Sequence, residues 1–234
     1  MSKTKINPRK YIFQIRLYNP LYLDRTGSFI KVTRKIFGNW EGGVNGFRFI
    51  DSYKKFVGNL SMYDFSLSTE FNTTHEQIKS IVLNGLDYIS DVYEEPLVQR
   101  IGYRIIYLCE ISPERAVKVI NNFAQPQSES FNLLKDYKVD RNEIFLRYKK
   151  SDAEKYVNFR LLYGEIEKRD TKNVLKVESS KGLIVDIDAY MLCLDERRLS
   201  KEFIDKDVKD FFSSAINNQK NIIQKIDGVV KQNG

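Results

Sequence analysis

Residues 98–111 read VQRIGYRIIYLCEI, a run of large apolar residues whose side chains alternate between two faces. A period of two is typical of a β-strand that is buried on at least one side. One of the two faces carries Arg100, Gly102 and Arg104 in succession. The stretch therefore predicts a strand of a packed sheet with positive charge on one face.

The segments on either side of this strand follow the helical period instead. Apolar residues recur at helical spacing over 74–93, and Ser112 followed by Pro113 and Glu114 predicts that a second helix begins there and runs to 124. A long amphipathic helix is predicted over 200–230. Because strands precede and follow these helices, we predict an α+β fold.

Further strands are predicted by alternation, with turns rich in glycine, proline and asparagine between them. They cover 11–18, 28–38, 47–51, 59–71, 131–139, 142–149, 155–166, 173–179 and 182–193. Such short alternating runs favour a mainly antiparallel sheet.

The chain shows a similar order of elements in two halves, each a strand meander followed by a helix. The polar stretch QPQSES at 125–130 separates an N-terminal half, 1–124, with basic leading strands, from a C-terminal half, 131–234, that ends in the long helix. The two halves can also form one intimately packed domain. Whether the similarity comes from a true duplication or from convergence of short strands stays open at this point.

Two pairs of charged residues are candidates for a polar cluster between the halves. Arg100 and Arg104 share one strand face, and Asp186 and Asp188 share one face of LIVDIDAYM at 183–191. If the two strands are neighbours, each guanidinium can meet a carboxylate, and Gly102 leaves room for it. The alternatives are arginines that hold a phosphate or carboxylate in a groove, and aspartates that bind Mg²⁺.

The net charge of +7 is concentrated near the N-terminus, where residues 1–40 hold nine lysines and arginines but only one acid, Asp24. Aromatic residues lie between these bases, a pattern that occurs in nucleic-acid or anion binding. The alternative is an edge hairpin whose charges discourage strand pairing. The candidate anion-binding residues are Lys3, Lys5, Arg9, Lys10, Arg16, Lys31, Arg34 and Lys35.

Several classes of protein are disfavoured by the composition. No apolar run reaches the length of a signal peptide or a membrane span, so we expect a cytoplasmic protein. His75 is the only histidine and is predicted on a helix surface, and Cys109 and Cys193 lie in apolar runs typical of buried residues. No phosphate-binding loop occurs. We therefore expect no metal, no cofactor and no catalytic residues.

The strand motifs resemble those of a sporadically distributed prokaryotic family of unknown function. Its members carry an Arg-x-Gly-Leu-Arg-Tyr-x-Asn strand and a Leu-Asp-x-Asp strand, and the similarity covers about residues 45–225. The residues at motif positions are Arg100, Gly102, Arg104, Asp186 and Asp188, whereas Tyr103, Ile105 and Tyr107 depart from the pattern. The resemblance implies an accessory or defence-type protein and brings no established activity.

From these observations we expect a non-enzymatic binding protein that engages a protein partner, because an open sheet beside a long helix can accept an extended peptide. The alternative is nucleic-acid binding by the basic N-terminal strands. A third hypothesis is a divalent-metal phosphodiesterase or nuclease that uses Asp186 and Asp188.

Overall fold

A single antiparallel sheet of nine strands organises the part of the chain that the structure, a computed structural model, describes: residues 5–43, 46–51, 56–70, 73–124, 143–151, 153–169 and 177–232. The strands are β1 (Ile6–Tyr18), β2 (Asn39–Gly43), β3 (Gly46–Asp51), β4 (Phe56–Leu60), β5 (Asp64–Glu70), β6 (Leu97–Cys109), β7 (Glu143–Lys149), β8 (Lys155–Arg169) and β9 (Val177–Leu192). Their order across the sheet is β2-β3-β4-β5-β1-β6-β9-β8-β7.

Four helical segments complete the fold. They are α1 (Tyr22–Phe37), α2 (His75–Val92), α3 (Pro113–Ala124) and a C-terminal segment in which α4 (Lys201–Phe203) continues through a π-helical turn (Ile204–Val208) into α5 (Lys209–Gln232). The predicted α+β class with a long C-terminal helix is confirmed. None of the helices that the structure describes is long and apolar enough to cross a membrane.

The same order of elements occurs twice along the chain. The first unit runs β1, α1, β2 to β5, α2, and the second runs β6, α3, β7 to β9, α4 and α5. The leading strands β1 and β6 pair with each other in antiparallel orientation at the middle of the sheet. Each unit thus adds its meander to the far side of its own leading strand. The predicted linker at 125–130 lies outside the described residues.

The hydrophobic core lies between the helices and one face of the sheet. Phe13 of β1 stands opposite Tyr103 of β6, and Phe212 of α5 packs against both rings at centroid distances of 5.5 and 5.1 Å. In the first unit, the ring of Phe37 in α1 lies 4.4 Å from that of Phe49 in β3. Large buried aromatic rings of this kind supply much of the apolar area that stabilises a sheet under helices.

The predicted strand at 28–38 is wrong, because this segment belongs to helix α1. The buried residues of α1 recur every three or four positions, as a helix under a sheet requires; they are Tyr22, Thr26, Phe29, Thr33 and Phe37. The β-branched residues between Ile30 and Ile36 favour a strand locally, and tertiary packing overrides that preference. Only the first of the predicted basic leading strands is therefore a strand. That strand, β1, lies at the middle of the sheet, so the edge-hairpin interpretation is also wrong.

Smaller differences concern the ends of strands. The predicted strand at 59–71 is divided into β4 and β5, which form a hairpin, and the predicted strands at 173–179 and 182–193 are replaced by one continuous strand, β9. The glycine-rich stretch after α1 pairs as the hairpin of β2 and β3. The predicted strand at 131–139 lies outside the described residues.

Two of the helix starts are fixed by side-chain caps. Thr74 accepts a hydrogen bond from the backbone N–H of Gln77, whose side chain accepts one from the backbone N–H of Thr74. Ser200 accepts from the backbone N–H of Phe203 in the same way. Such caps satisfy N–H groups that have no partner inside the helix, and each contributes about 1 kcal/mol.

Candidate binding surfaces of the sheet

The face of the sheet that points away from the helices carries the charged residues singled out in the sequence. We call it the open face, because no helix that the structure describes packs over it. Its side chains alternate with the buried ones along β1, β6 and β9. They include Gln14, Arg100, Arg104, Asp186 and Asp188, which are all partly exposed. The four predicted cluster residues therefore lie together on one surface.

Arg100 reaches along this face by lying across Gly102. Its Nη2 is 3.1 Å from Oδ2 of Asp188, and its Nη1 is 3.2 Å from Oε1 of Gln14. The guanidinium also lies over the ring of Tyr190, with Cζ 4.6 Å from the ring centroid. One arginine thus links β1 of the first unit to β9 of the second by an ion pair, a hydrogen bond to an uncharged amide and a cation–π contact.

Arg104 pairs with Asp186 through two hydrogen bonds. Nε to Oδ1 measures 2.8 Å and Nη2 to Oδ2 measures 2.5 Å. In the strand register Arg104 lies directly opposite Asp188, but its side chain turns to the diagonal residue Asp186. Asp188 pairs with Arg100 instead. Hydrogen bonding to Asp186 raises the pKa of Arg104. A fork of this geometry fixes orientation as well as charge.

Burial dominates the electrostatics of Asp188. Removal from water raises the pKa of its carboxyl group, and the positive charges of Arg100 and Arg104 act in the opposite direction. The carboxylate is thus costly to bury and is held ionised by its neighbours. Each of the two aspartates is engaged by a guanidinium, and the described residues contain no group of three histidine, cysteine or acidic side chains arranged to hold a metal ion.

A stack of aromatic and basic side chains continues the cluster toward β7. The rings of Tyr156 and Tyr190 are 5.0 Å apart and nearly parallel. Arg147 of β7 lies over Tyr156 at 4.9 Å and donates a hydrogen bond to the hydroxyl of Tyr190. The flat face of Tyr190 is therefore covered by Arg100 on one side and Tyr156 on the other. These rings stiffen the open face rather than offer a bare stacking platform.

The predicted anion-binding residues do not form one patch. Lys5 is exposed just before β1, and Lys3 lies outside the described residues. Arg9 forms an ion pair of 2.5 Å with Glu110, whereas Lys10 and Arg16 belong to the open face. The remaining three, Lys31, Arg34 and Lys35, lie on α1, in the helix layer on the other side of the sheet. The folded chain thus distributes the N-terminal charge over two opposite surfaces.

His75 is placed differently from the surface position predicted for it. Its Nδ1 is 3.1 Å from the hydroxyl of Tyr103, and its ring meets the edge of Tyr11 at 5.4 Å. Burial lowers the pKa of His75, with a smaller contribution in the same direction from Lys220. The amphipathic pattern of α2 gave no sign of this contact, because its partners come from β1 and β6.

The sequence reasoning missed an apolar groove of about 550 Å³ between the β7–β8 hairpin and helices α3 and α5. Its apolar and aromatic lining consists of Phe123, Leu146, Tyr148, Tyr156, Val157, Phe159, Ala189, Tyr190, Phe211, Ala215 and Ile222, and its uncharged polar lining of Ser214, Asn218 and Asn221. Its basic lining consists of Lys149, Lys150, Lys155 and Lys225. The described residues that line it include no aspartate or glutamate.

Strand β7 beside this groove is unusually exposed for its composition. Phe145 is 59% exposed, Leu146 37% and Tyr148 55%. Phe145 points to the open face, whereas Leu146 and Tyr148 point to the helix layer. A signal was present in the sequence, because Phe145 adds a large apolar residue to the face of 143–149 that otherwise carries Glu143, Arg147 and Lys149.

Comparisons with known proteins add no functional information. No protein-family model matches the chain, and no curated protein matches it. Among solved structures, Methanococcus jannaschii TBP is aligned with 10% sequence identity over 91% of this chain and 98% of that chain, with a TM-score of 0.28. A similarity at this level carries no argument about fold or function.

Proposed function

We propose that this chain is a non-enzymatic binding protein that holds an extended segment of a partner protein beside strand β7. The observation that carries the proposal is the exposure of Phe145, Leu146 and Tyr148 on an edge strand next to an apolar groove. Strand addition to such an edge is a recurrent mode of peptide recognition.

The first support comes from the position of β7. It is the last strand in the sheet order and pairs only with β8 among the described strands. An edge strand presents a row of backbone N–H and C=O groups that another chain can pair with, and proteins usually protect such an edge with charge or with a short strand. The three charged residues of β7 are engaged by Arg160, Tyr190 and Glu154 of the same chain, and three large apolar side chains of the strand are exposed, so this edge is poorly protected.

The second support comes from the groove. A segment added beside β7 directs alternate side chains toward the helix layer, where Leu146 and Tyr148 already point. Phe211 and Ile222 of α5 and Phe123 of α3 supply apolar surface there. Main-chain pairing with β7 can thus be combined with side-chain burial in the groove, which gives affinity and selectivity together.

The opposite edge of the sheet lacks these features. In β2, the ring of Trp40 packs inward, 4.6 Å from Phe49 and 5.6 Å from Phe29. No residue of β2 is among the exposed large hydrophobic residues of the described chain. The proposal therefore concerns β7 alone.

The experiment that tests the proposal introduces a photoreactive amino acid at Tyr148 and, as a matched control, at Leu23, which is 85% exposed on α1. Crosslinking in host extract is followed by mass spectrometry of the joined peptides. We expect one recurrent partner segment at position 148 and none in common with position 23. A synthetic peptide of that segment should bind the wild type and lose binding in Tyr148→Glu, while Leu23→Glu retains it.

The proposal is wrong if the same proteins are joined at both positions, or if Tyr148→Glu binds the peptide as tightly as the wild type. The prokaryotic accessory or defence-type setting and the cytoplasmic location remain expectations from the sequence, and the proposal does not depend on them. Nucleic-acid binding by the N-terminal bases also remains a prediction, and their distribution over two surfaces does not favour it.

A further inference from the structure

We infer that the segment bound beside β7 is acidic, with apolar residues at alternate positions and carboxylates at the end nearest the β7–β8 turn. The inference rests on the proposed function and names the chemistry of its partner. The observations that support it are the basic charge of the groove and the position of that charge on the groove's rim.

The basic residues of the groove lie at two places on its rim. Lys149, Lys150 and Lys155 cluster at the turn that joins β7 to β8, and Lys225 stands on α5. Lys149 already has one carboxylate partner, since its Nζ is 2.6 Å from Oε1 of Glu154. Lys225 is exposed and forms no ion pair with any residue in the described ranges. The rim therefore has basic groups with capacity for further carboxylates.

The floor of the groove has the opposite character. It is formed by large apolar side chains, among them Phe159 and Phe211, with no acidic group among the described lining residues. A basic segment would place its charges against this floor or beside the lysines, and both placements are unfavourable; a neutral polar segment would lose the apolar contacts of the floor. An acidic amphipathic segment places its apolar side chains on the floor and its carboxylates beside the lysines of the rim. Such matching of apolar and charged groups is the usual form of complementarity at protein interfaces.

The strand geometry gives the register of the segment. Leu146 and Tyr148 point to the groove from the middle and end of β7, and Lys149 and Lys150 follow at the turn. A strand lying along β7 therefore meets apolar side chains first and lysines last. The segment is therefore expected to carry its carboxylates at the end that lies beside Lys149 and Lys150, and not along its whole length.

The test measures the binding of three synthetic peptides to the full chain by fluorescence anisotropy. The peptides share an alternating isoleucine–threonine stretch and end in a run of glutamates, glutamines or lysines. We expect the glutamate peptide to bind about tenfold more tightly than the glutamine peptide, and the lysine peptide most weakly. Added salt should lower the affinity of the glutamate peptide alone, because salt screens the attraction between its exposed carboxylates and the lysines.

Charge reversal on the chain separates a local effect from a net-charge effect. Lys155→Glu reverses a charge at the β7–β8 turn and should weaken binding of the glutamate peptide about tenfold and strengthen binding of the lysine peptide. Lys206→Glu makes the same change of net charge at an exposed residue that does not line the groove, and should leave both affinities unchanged. Thermal unfolding of each variant confirms that it is folded. Equal effects of the two substitutions would overturn the inference.

Failure of the inference and failure of the proposed function give different results. If all three peptides bind equally to the wild type and all are lost in Tyr148→Glu, the groove binds peptides without regard to charge, and only the inference is wrong. If no peptide binds, the inference is wrong, whereas the proposed function is decided by the crosslinking at position 148. Oleate that displaces the glutamate peptide and binds with the same dependence on Lys155 would identify a lipid anion as the occupant and would also overturn the inference.

Discussion

Arg100 lies across Gly102, so that its Nη2 would be 3.3 Å from a Cβ atom at position 102. The missing side chain is the reason why a long arginine can lie flat on the strand and reach both Gln14 and Asp188. The glycine in the middle of an otherwise apolar strand is therefore part of the charged cluster. A glycine has a low β-strand propensity, but its missing side chain leaves space for the guanidinium of Arg100.

Gly102→Ala should destabilise the protein by about 1 kcal/mol, because Arg100 must move by a few tenths of an ångström or leave Asp188. The measurement is urea unfolding at neutral pH. Gly228→Ala is the control, since no atom lies within 4 Å of a Cβ built there and alanine is the better helix former in α5. A Gly102→Ala protein as stable as Gly228→Ala would show that Arg100 does not need the glycine.

Gly182→Ala should be far more damaging than Gly102→Ala. A Cβ at position 182 would lie 2.2 Å from the backbone oxygen of Cys109, and backbone atoms at the β6–β9 junction cannot rotate away as a side chain can. We expect a loss of several kcal/mol or an insoluble product, measured by urea unfolding and by soluble yield. A cost similar to that of Gly102→Ala would mean that the strands separate there at little expense.

Arg100→Ala should destabilise the protein more than Arg104→Ala. The side chain of Arg100 is 18% exposed and its removal leaves Asp188 buried without its main partner, at a cost of about 3 kcal/mol. The side chain of Arg104 is 42% exposed, and without it Asp186 loses two hydrogen bonds but keeps the nearby charge of Arg160, which is itself paired with Glu143; the expected cost is about 2 kcal/mol. Thermal and urea unfolding measure both.

The exposed ion pair of Arg25 and Glu94 is the control for this comparison, and Arg25→Ala should change stability by less than about 0.5 kcal/mol. The deficit of Arg100→Ala should also shrink as the pH is lowered. Burial already raises the pKa of Asp188, and protonation removes the uncompensated charge. Equal losses for Arg100→Ala and Arg104→Ala, independent of pH, would contradict the pairing described above.

His75 should make the stability of the protein depend on pH below its ordinary pKa of 6.5. The folded state lowers the pKa of His75, so the unfolded chain takes up a proton before the folded one does. The contribution of His75 to the free energy of unfolding is therefore fully present above pH 6.5 and decreases as the pH falls toward the pKa of the folded state. The change cannot exceed about 1.4 kcal/mol for each pH unit, since one proton is involved.

Urea unfolding of the wild type and His75→Gln between pH 7.5 and pH 5.5 isolates this effect, because the sequence contains no second histidine. The wild type should lose more stability than the variant across this window. Parallel curves for the two proteins would show that the imidazole can be protonated in the folded state at no cost.

The fold was predictable where hydrophobic periodicity was strong. The buried faces of β1 and β6 and the stripe of α5 follow the sequence pattern closely. The failure at 28–38 has a physical cause, since β-branched residues favour a strand locally and the helical form is stabilised by packing of Phe29 on Tyr93 and of Phe37 on Phe49 and Phe65. Contacts of this kind depend on residues far away in the chain.

The cluster was predictable in composition but not in pairing. Alternation placed Arg100 and Arg104 on one face, and Asp186 and Asp188 on another strand face. Which guanidinium meets which carboxylate depends on register and on side-chain direction, and the pairing of Arg104 with Asp186 is diagonal. The groove was not predictable, because it forms between a hairpin and two helices that are distant from one another in sequence.

The central position of β1 and β6 also determines what a growing chain can do during synthesis. Gln14 and Arg100, 86 residues apart, come together only when β6 has left the ribosome, and Arg100 must then wait for Asp188, 88 residues later. During that interval β6 is an apolar strand with one unpaired edge, the condition in which chains aggregate most readily. We therefore expect the chain to be most prone to aggregation while the segment between β6 and β9 is being translated.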